Sequence, residues 1–238
     1  KLARRSTGRS ELISFYGAYH GGSTGSLAIS YNEEKKYAVR PLLSDVKFIE
    51  FNKLADLALI TQKTAGVFLE TIQGDSGIRI PDVAFMKALR ERCSETGTLL
   101  ILDEIQAGMG RTGKFSAFEH YAVTPDILCL GKALGAGLPI GAMISGRSLM
   151  EKFTHDPMLG HITTFGGNPV ICAAANAGLK ELLKDGIIES VEAKGEFINS
   201  SLKNHPAVKE IRQKGLFMAI ELASSEKVQQ AFDYCLAH

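Results

Sequence analysis

Apolar and polar positions fall into short alternating blocks along the chain. The apolar runs Leu12–Phe15, Gly66–Ile72 and Thr98–Asp103 have the length, and in part the β-branched content, of buried strands. Between the last two lies DVAFMKALRERCSETG, in which Val83, Phe85, Met86 and Leu89 fall near one helical stripe. Asp82, after Pro81, is the predicted N-cap of that helix, and Gly97 is its predicted C-cap. A strand–helix–strand unit with both strands buried predicts a parallel sheet covered by helices. Asp126–Leu130 and Ile140–Ser145 read as further strands.

Downstream, GGNP opens a long predicted helix over Asn168–Lys184, with Pro169 at the first helical position, where a missing N–H costs nothing. After KDG at Lys184–Gly186, a second helix is predicted over Ile188–Leu202. Two short strands follow, around Val208–Arg212 and Leu216–Leu222, and a final helix starts near Ser225. The pattern divides the chain into a large α/β domain over residues 1–184 and the start of a smaller α+β domain over residues 185–238. KLARRSTG reads as the last turns of a helix closed near Gly8, and KVQQAFDYCLAH ends mid-helix. The expectation is a fragment of a longer protein, incomplete at both termini.

A hydrophobic fraction of 45% over 238 residues is enough for a substantial core. Lys and Arg total 27 against 26 Asp and Glu, so no basic excess points to nucleic acid. The short cluster Lys1, Arg4, Arg5 and Arg9 is expected to be a solvated helix face. Cys93, Cys129, Cys172 and Cys235 are far apart with no CxxC pair, which predicts buried free thiols in a reducing cytoplasm rather than disulfides or a metal site. No apolar run approaches the roughly 20 residues needed to cross a bilayer, so no membrane partner is expected.

Two features then need explaining. The apolar strand LLILDE ends in two adjacent acids, Asp103 and Glu104, and a lone lysine, Lys132, sits in the glycine-rich apolar run ILCLGKALGAG. The acids either mark an exit into solvent or stand in the crevice at the carboxyl ends of parallel strands, where ligands bind. The loop AGMGRTG that follows them could approach such a ligand closely. Lys132 is either a snorkelling surface residue or a desolvated nucleophile able to bond an aldehyde. One cofactor would use both: pyridoxal 5′-phosphate binds a lysine as an imine and needs a carboxylate at its ring nitrogen.

LLILDEIQAGMGRTGKFSAFEHYAVTPDILCLGKALGAGLPIGAMI resembles the signature region of class III, or ornithine/acetylornithine-type, pyridoxal-phosphate aminotransferases. The likeness runs through AYHGGSTGSL, FLETIQGDSG and TTFGGNPVICAAA, covering nearly the whole chain. It implies a fold-type-I α/β architecture with a mostly parallel sheet. It also implies that Lys132 is the Schiff-base lysine and proton shuttle, that Asp103 holds the pyridine nitrogen, and that Gln106 faces the 3′-oxygen. Tyr19 would stack on the ring, and Glu70 would stand beside the active site with Asp75 at a second acidic position. Thr164 would reach the phosphate of the neighbouring subunit's cofactor, making the active unit a homodimer. Thr163 would keep a small hydroxyl in the substrate site, and His20 is expected to be structural.

The resemblance also has gaps. The family's phosphate-cradling loop would lie immediately before KLARR, and its substrate-gripping C-terminal arginine lies beyond the sequence. Where acetylornithine-type members often have His-Gly-Arg-Thr, this chain has His20-Gly21-Gly22-Ser23. The expected reaction is transfer of the ω-amino group of an ornithine-like donor to 2-oxoglutarate. Other class III chemistry (a different ω-amino donor, an aminomutase or a decarboxylase) and a non-catalytic dimer partner stay open.

Overall fold

The apolar runs pair side by side in one sheet. In the computed structural model, which describes residues 1–237, the strands are β1 (Glu11–Phe15), β2 (Val46–Ile49), β3 (Thr64–Glu70), β4 (Leu99–Asp103), β5 (Ile127–Gly131) and β6 (Gly141–Ser145). Their order is β2-β1-β3-β4-β5-β6. The first five are parallel, and β6 closes the edge antiparallel to β5. Successive side chains of a strand face opposite ways, so each central strand feeds two cores. Val67, Leu69, Leu100 and Leu102 pack with Phe85, Met86 and Leu89 on one face. Ala65 and Ile101 pack with Leu2, Ala3 and Leu12 on the other.

The helices are α1 (Leu2–Thr7), α2 (Thr24–Ile29), α3 (Glu33–Tyr37), α4 (Val83–Thr96), α5 (Arg147–Met150), α6 (Pro169–Leu182), α7 (Ser190–Leu202) and α8 (Ser225–Ala237). An antiparallel hairpin of β7 (Val208–Lys214) and β8 (Phe217–Leu222) lies between the last two. In α4, Phe85, Met86, Leu89 and Cys93 recur at helical spacing and are buried. Gly97 ends the helix in the left-handed region at φ 63°, and the Thr98 N–H returns to the Cys93 carbonyl at 2.8 Å. At the start of α6, Asn168 Oδ1 accepts from the N–H groups of Val170 (3.0 Å) and Ile171 (3.2 Å), with Pro169 in the first turn as predicted.

Several expectations are corrected. Val83 is exposed, because the stripe turns into the sheet only from Phe85. Asp82 occupies the N-cap position without a side-chain cap; its own N–H donates to Asn52 Oδ1 at 2.9 Å. The basic cluster is not a free solvated face. Arg9 Nη1 donates to the carbonyls of Thr64, Thr96 and Gly97 at 2.9–3.1 Å, Arg5 to those of His155 and Pro157, and Arg4 to that of Ser44. All four cysteines are free, but only Cys93 is buried; Cys172 and Cys235 are exposed. Strand β2 had no apolar run to announce it.

The C-terminal elements dock on the loops at the sheet's carboxyl edge. The Leu216 N–H donates to the Arg111 carbonyl at 3.0 Å, and Arg212 Nε donates to that of Gly77 at 2.8 Å. Among the described residues no helix is long and apolar enough to cross a membrane.

Candidate active site

Parallel strands bring their carboxyl ends to one edge, and three of those ends carry polar side chains. Glu70 ends β3 and Asp103 ends β4, and the two are register partners across the ladder. Lys132 follows Gly131, the last residue of β5. Tyr19 and His20 lie on the loop after β1, and Gln106 lies just beyond β4. Tyr19, His20, Glu70, Asp103, Gln106 and Lys132 line one cavity of about 230 Å³. A larger depression of about 560 Å³ opens elsewhere, beside Glu11, Lys47 and Arg92, so chemistry rather than size singles out the site.

Within the cavity each acid is held differently. Asp103 Oδ2 is 2.8 Å from His20 Nδ1, and its Oδ1 accepts the Ile105 N–H at 3.1 Å. Glu70 Oε2 accepts the Tyr19 N–H at 2.8 Å, and Oε1 accepts that of Gly74 at 3.3 Å. Burial pushes the Glu70 carboxyl up to about 7, and the nearby Asp103 charge adds to that rise, against the pull of those two N–H groups and of His20.

Glu104 settles the question of the paired acids. Neighbouring residues point opposite ways, so one carboxylate faces the crevice and the other turns inward. Glu104 is fully buried and accepts from Thr71 Oγ1 (2.8 Å), the Ala117 N–H (2.7 Å) and the Phe118 N–H (2.7 Å). It anchors the turn at Ala117–Tyr121 to the sheet. That the two acids differ in role was readable from strand alternation alone.

Lys132 is exposed rather than desolvated and stands at φ 45°, and its amine makes no hydrogen bond or ion pair with another described residue. A non-glycine side chain in the left-handed region is uncommon and marks local strain. The carboxamide of Gln106 sits directly over the Cα of Gly74, where a Cβ would have no room. The Tyr19 ring has Lys35 Nζ 5.5 Å from its centroid. The glycines of AGMGRTG are used for packing: Gly110 faces Ile188 and Leu182, and Gly113 faces Glu192, so only Ala107 of that loop reaches the cavity.

The two threonines are not part of the cluster. Thr163 and Thr164 are exposed in the segment between α5 and α6, and Thr163 lines a separate cavity of about 800 Å³ with Met143 and Phe153. Asp75 is exposed and does not line the site. His20, read from sequence as structural, is a wall of the cavity and touches Asp103.

A pyridoxal-type cofactor needs an amine for its aldehyde, a carboxylate for its ring nitrogen, an amide for its ring oxygen and a flat side chain for its ring. Lys132, Asp103, Gln106 and Tyr19 supply that donor set around one cavity, so the residues present fit the group.

Fold and site together define an α/β protein with a lysine–carboxylate ligand crevice at its strand ends. The chain belongs to the class III aminotransferase family, whose model matches residues 1–237. It is 41% identical over 226 residues to a [LysW]-aminoadipate semialdehyde/glutamate semialdehyde transaminase of Sulfolobus acidocaldarius, covering 93% of this chain and 58% of that protein. It is 40% identical over 231 residues to the acetylornithine aminotransferase of Methanopyrus kandleri, covering 96% and 59%. Among solved structures, an ornithine aminotransferase from Toxoplasma gondii, described with partial occupancy of pyridoxal phosphate at its active site, superposes with a TM-score of 0.86 at 31% identity. That match covers 94% of this chain and 55% of the other. The sheet is therefore that of a fold-type-I pyridoxal-phosphate enzyme. The chain spans somewhat over half the length of these relatives.

Proposed function

We propose that this chain is the cofactor-binding part of a pyridoxal-phosphate transaminase that moves an ω-amino group from an ornithine-like donor to 2-oxoglutarate. The reading rests on one observation: Asp103, Gln106 and Lys132 line a single cavity at the carboxyl edge of the sheet. When bound, pyridoxal phosphate supplies an aldehyde for the amine and a ring that accepts the electron pair left when a substrate C–H proton departs. Lys132 Nζ would hold the aldehyde carbon and then carry that proton between neighbouring carbons. Asp103 would hold a proton on the ring nitrogen, a charge-assisted bond. Gln106 would bind the ring oxygen, Tyr19 would cover the ring face, and Glu70 would stand at the substrate side.

The relatives' names, acetylornithine, ornithine and [LysW]-aminoadipate semialdehyde transaminases, support an ω-amino donor. Thr164, exposed and away from its own cavity, suits a role at the cofactor phosphate of a second copy, and Thr163 a place in the substrate site; the active unit is then a homodimer. Residues 1–184 form the cofactor domain in this reading, and 185–238 begin the smaller one. The four free cysteines favour the cytoplasm.

The test is borohydride reduction of the full-length protein loaded with pyridoxal phosphate, followed by peptide mapping. A pyridoxyl adduct on Lys132, absent from Lys132→Ala, is expected. A full-length protein that takes up no pyridoxyl group at Lys132 removes the reading.

A further inference from the structure

The C-terminal hairpin reaches the walls of the crevice. Phe217 of β8 packs with Ile72, Ile78 and Ala107, and Ile72 and Ala107 line the same cavity as Lys132 and Asp103. Beside that apolar contact lies a polar one. Arg212 of β7 donates from Nε to the Gly77 carbonyl at 2.8 Å, across 135 positions of sequence. Gly77 stands at φ 84°, and a Cβ there would come within 3.0 Å of Arg212 Nη2. Glycine is required there twice, once by the backbone angle and once by the guanidinium lying against it.

Gly77 belongs to the loop between β3 and α4. Its N–H and that of Ile78 donate to the Gly74 carbonyl at 3.1 and 3.3 Å, so residues 74–78 form one closed turn. Ser76 Oγ ties the turn to the loop after β1, donating to the Gly17 carbonyl at 2.6 Å. At Gly74 the turn meets Gln106, whose Oε1 lies 2.2 Å from where a Cβ would stand. The Gln106 carboxamide makes no hydrogen bond with another described residue. Its place is therefore set by the surface it rests on, and that surface is the Gly74 backbone.

We infer that Arg212 is a positioning residue of the crevice: its Nε–H fixes the turn at residues 74–78, and the turn fixes the Gln106 carboxamide where it meets the cofactor's ring oxygen. This rests on the cofactor reading above. Arg212 does not line the cavity, so it acts through Gly74 and Gln106. Its guanidinium also pairs through Nη1 with Glu210 and Glu221, but those pairs stay within the hairpin. The three side chains are 31–52% exposed, which keeps such pairs weak.

Two substitutions divide these contacts. Lysine keeps a positive charge for the glutamates and puts a methylene where Nε stood. Glutamine has no charge but carries an N–H the same number of bonds from Cα as Nε. The experiment uses the full-length protein and measures the dissociation constant of pyridoxal phosphate by absorbance, with borohydride trapping on Lys132 at saturating cofactor. Arg212→Lys is expected to bind the cofactor about fivefold or more weakly while still giving the Lys132 adduct. Arg212→Gln is expected to stay within about twofold of wild type. A staple that only held the hairpin together would give the reverse order, because it needs the charge. In a Gln106→Ala background the Arg212→Lys loss should vanish. The positioning role is overturned if Lys binds as tightly as wild type, if Gln loses as much as Lys, or if the loss persists without Gln106; the adduct then keeps the cofactor reading intact. An Arg212→Lys protein that gives no adduct even at saturating cofactor also overturns it, since the arginine would then be holding the fold. If wild-type protein gives no Lys132 adduct, both readings fall together.

Discussion

Glu70 and Asp103 stand opposite each other at the ends of β3 and β4, two carboxyl groups side by side in one ladder. The buried one is driven up to about 7, while its neighbour is held by an imidazole and an amide.

That asymmetry has a pH signature. Below pH 4.5, the ordinary value, Glu70 is protonated in both folded and unfolded chains. Between 4.5 and about 7 the unfolded chain ionises while the fold holds the proton, so the stability Glu70 contributes is lost as pH rises through this window. Glu70→Gln has no such term. Urea denaturation at pH 5 and pH 8 should therefore show the variant gaining on wild type by roughly 2–3 kcal/mol between the two. A difference independent of pH would show that burial does not raise this group.

Glu104 should be the costlier acid to lose. Removing its carboxylate leaves the Ala117 and Phe118 N–H groups and the Thr71 hydroxyl without their acceptor in a dry site. Glu104→Ala is expected to cost about 3–5 kcal/mol, read from the urea midpoint, and Glu104→Gln distinctly less because one oxygen remains.

Arg9 makes a comparable point at the far end of the sheet. Its guanidinium gathers the carbonyls at the start of β3 and the end of α4. Arg9→Ala should lower stability by about 1–2 kcal/mol, and Arg9→Lys should recover only part, since an ammonium lacks the planar fork. Equal stability of all three proteins would return Arg9 to the solvated face expected from sequence.

The contrast between Arg9 and β4 shows what sequence can carry. Strands β3 and β4 are buried on both faces, so nearly every residue is apolar and the run announces itself. Strand β2 is a four-residue edge strand with only Ile49 buried, and VKFI has no length or pattern to separate it from a loop. The lysine and the aspartate could be singled out because an isolated amine and a strand-end carboxylate together match the chemistry of one cofactor, whereas Gln106 came from the resemblance. The exposure of Lys132, the His20–Asp103 contact and the arginine clamps depend on residues far apart in the chain, and no local period encodes them. Thr163 and Thr164 were assigned by resemblance alone, and both lie outside the cavity lined by Lys132 and Asp103.

Gly74 offers the sharpest check on Gln106. A Cβ there would overlap the Gln106 carboxamide, the far end of a flexible side chain, and the glycine backbone itself is not in the left-handed region. Gly74→Ala should therefore keep the fold, with a melting temperature within about 3 °C of wild type, while swinging the carboxamide away from its place in the cavity. Pyridoxal-phosphate affinity should fall about tenfold if one hydrogen bond is lost. The decisive comparison is a double-mutant cycle with Gln106→Ala. If Gly74 acts only by placing Gln106, the double variant binds the cofactor no more weakly than Gln106→Ala alone. Additive losses would mean that Gly74 supports the site by another route and that the carboxamide's position is not what the glycine secures.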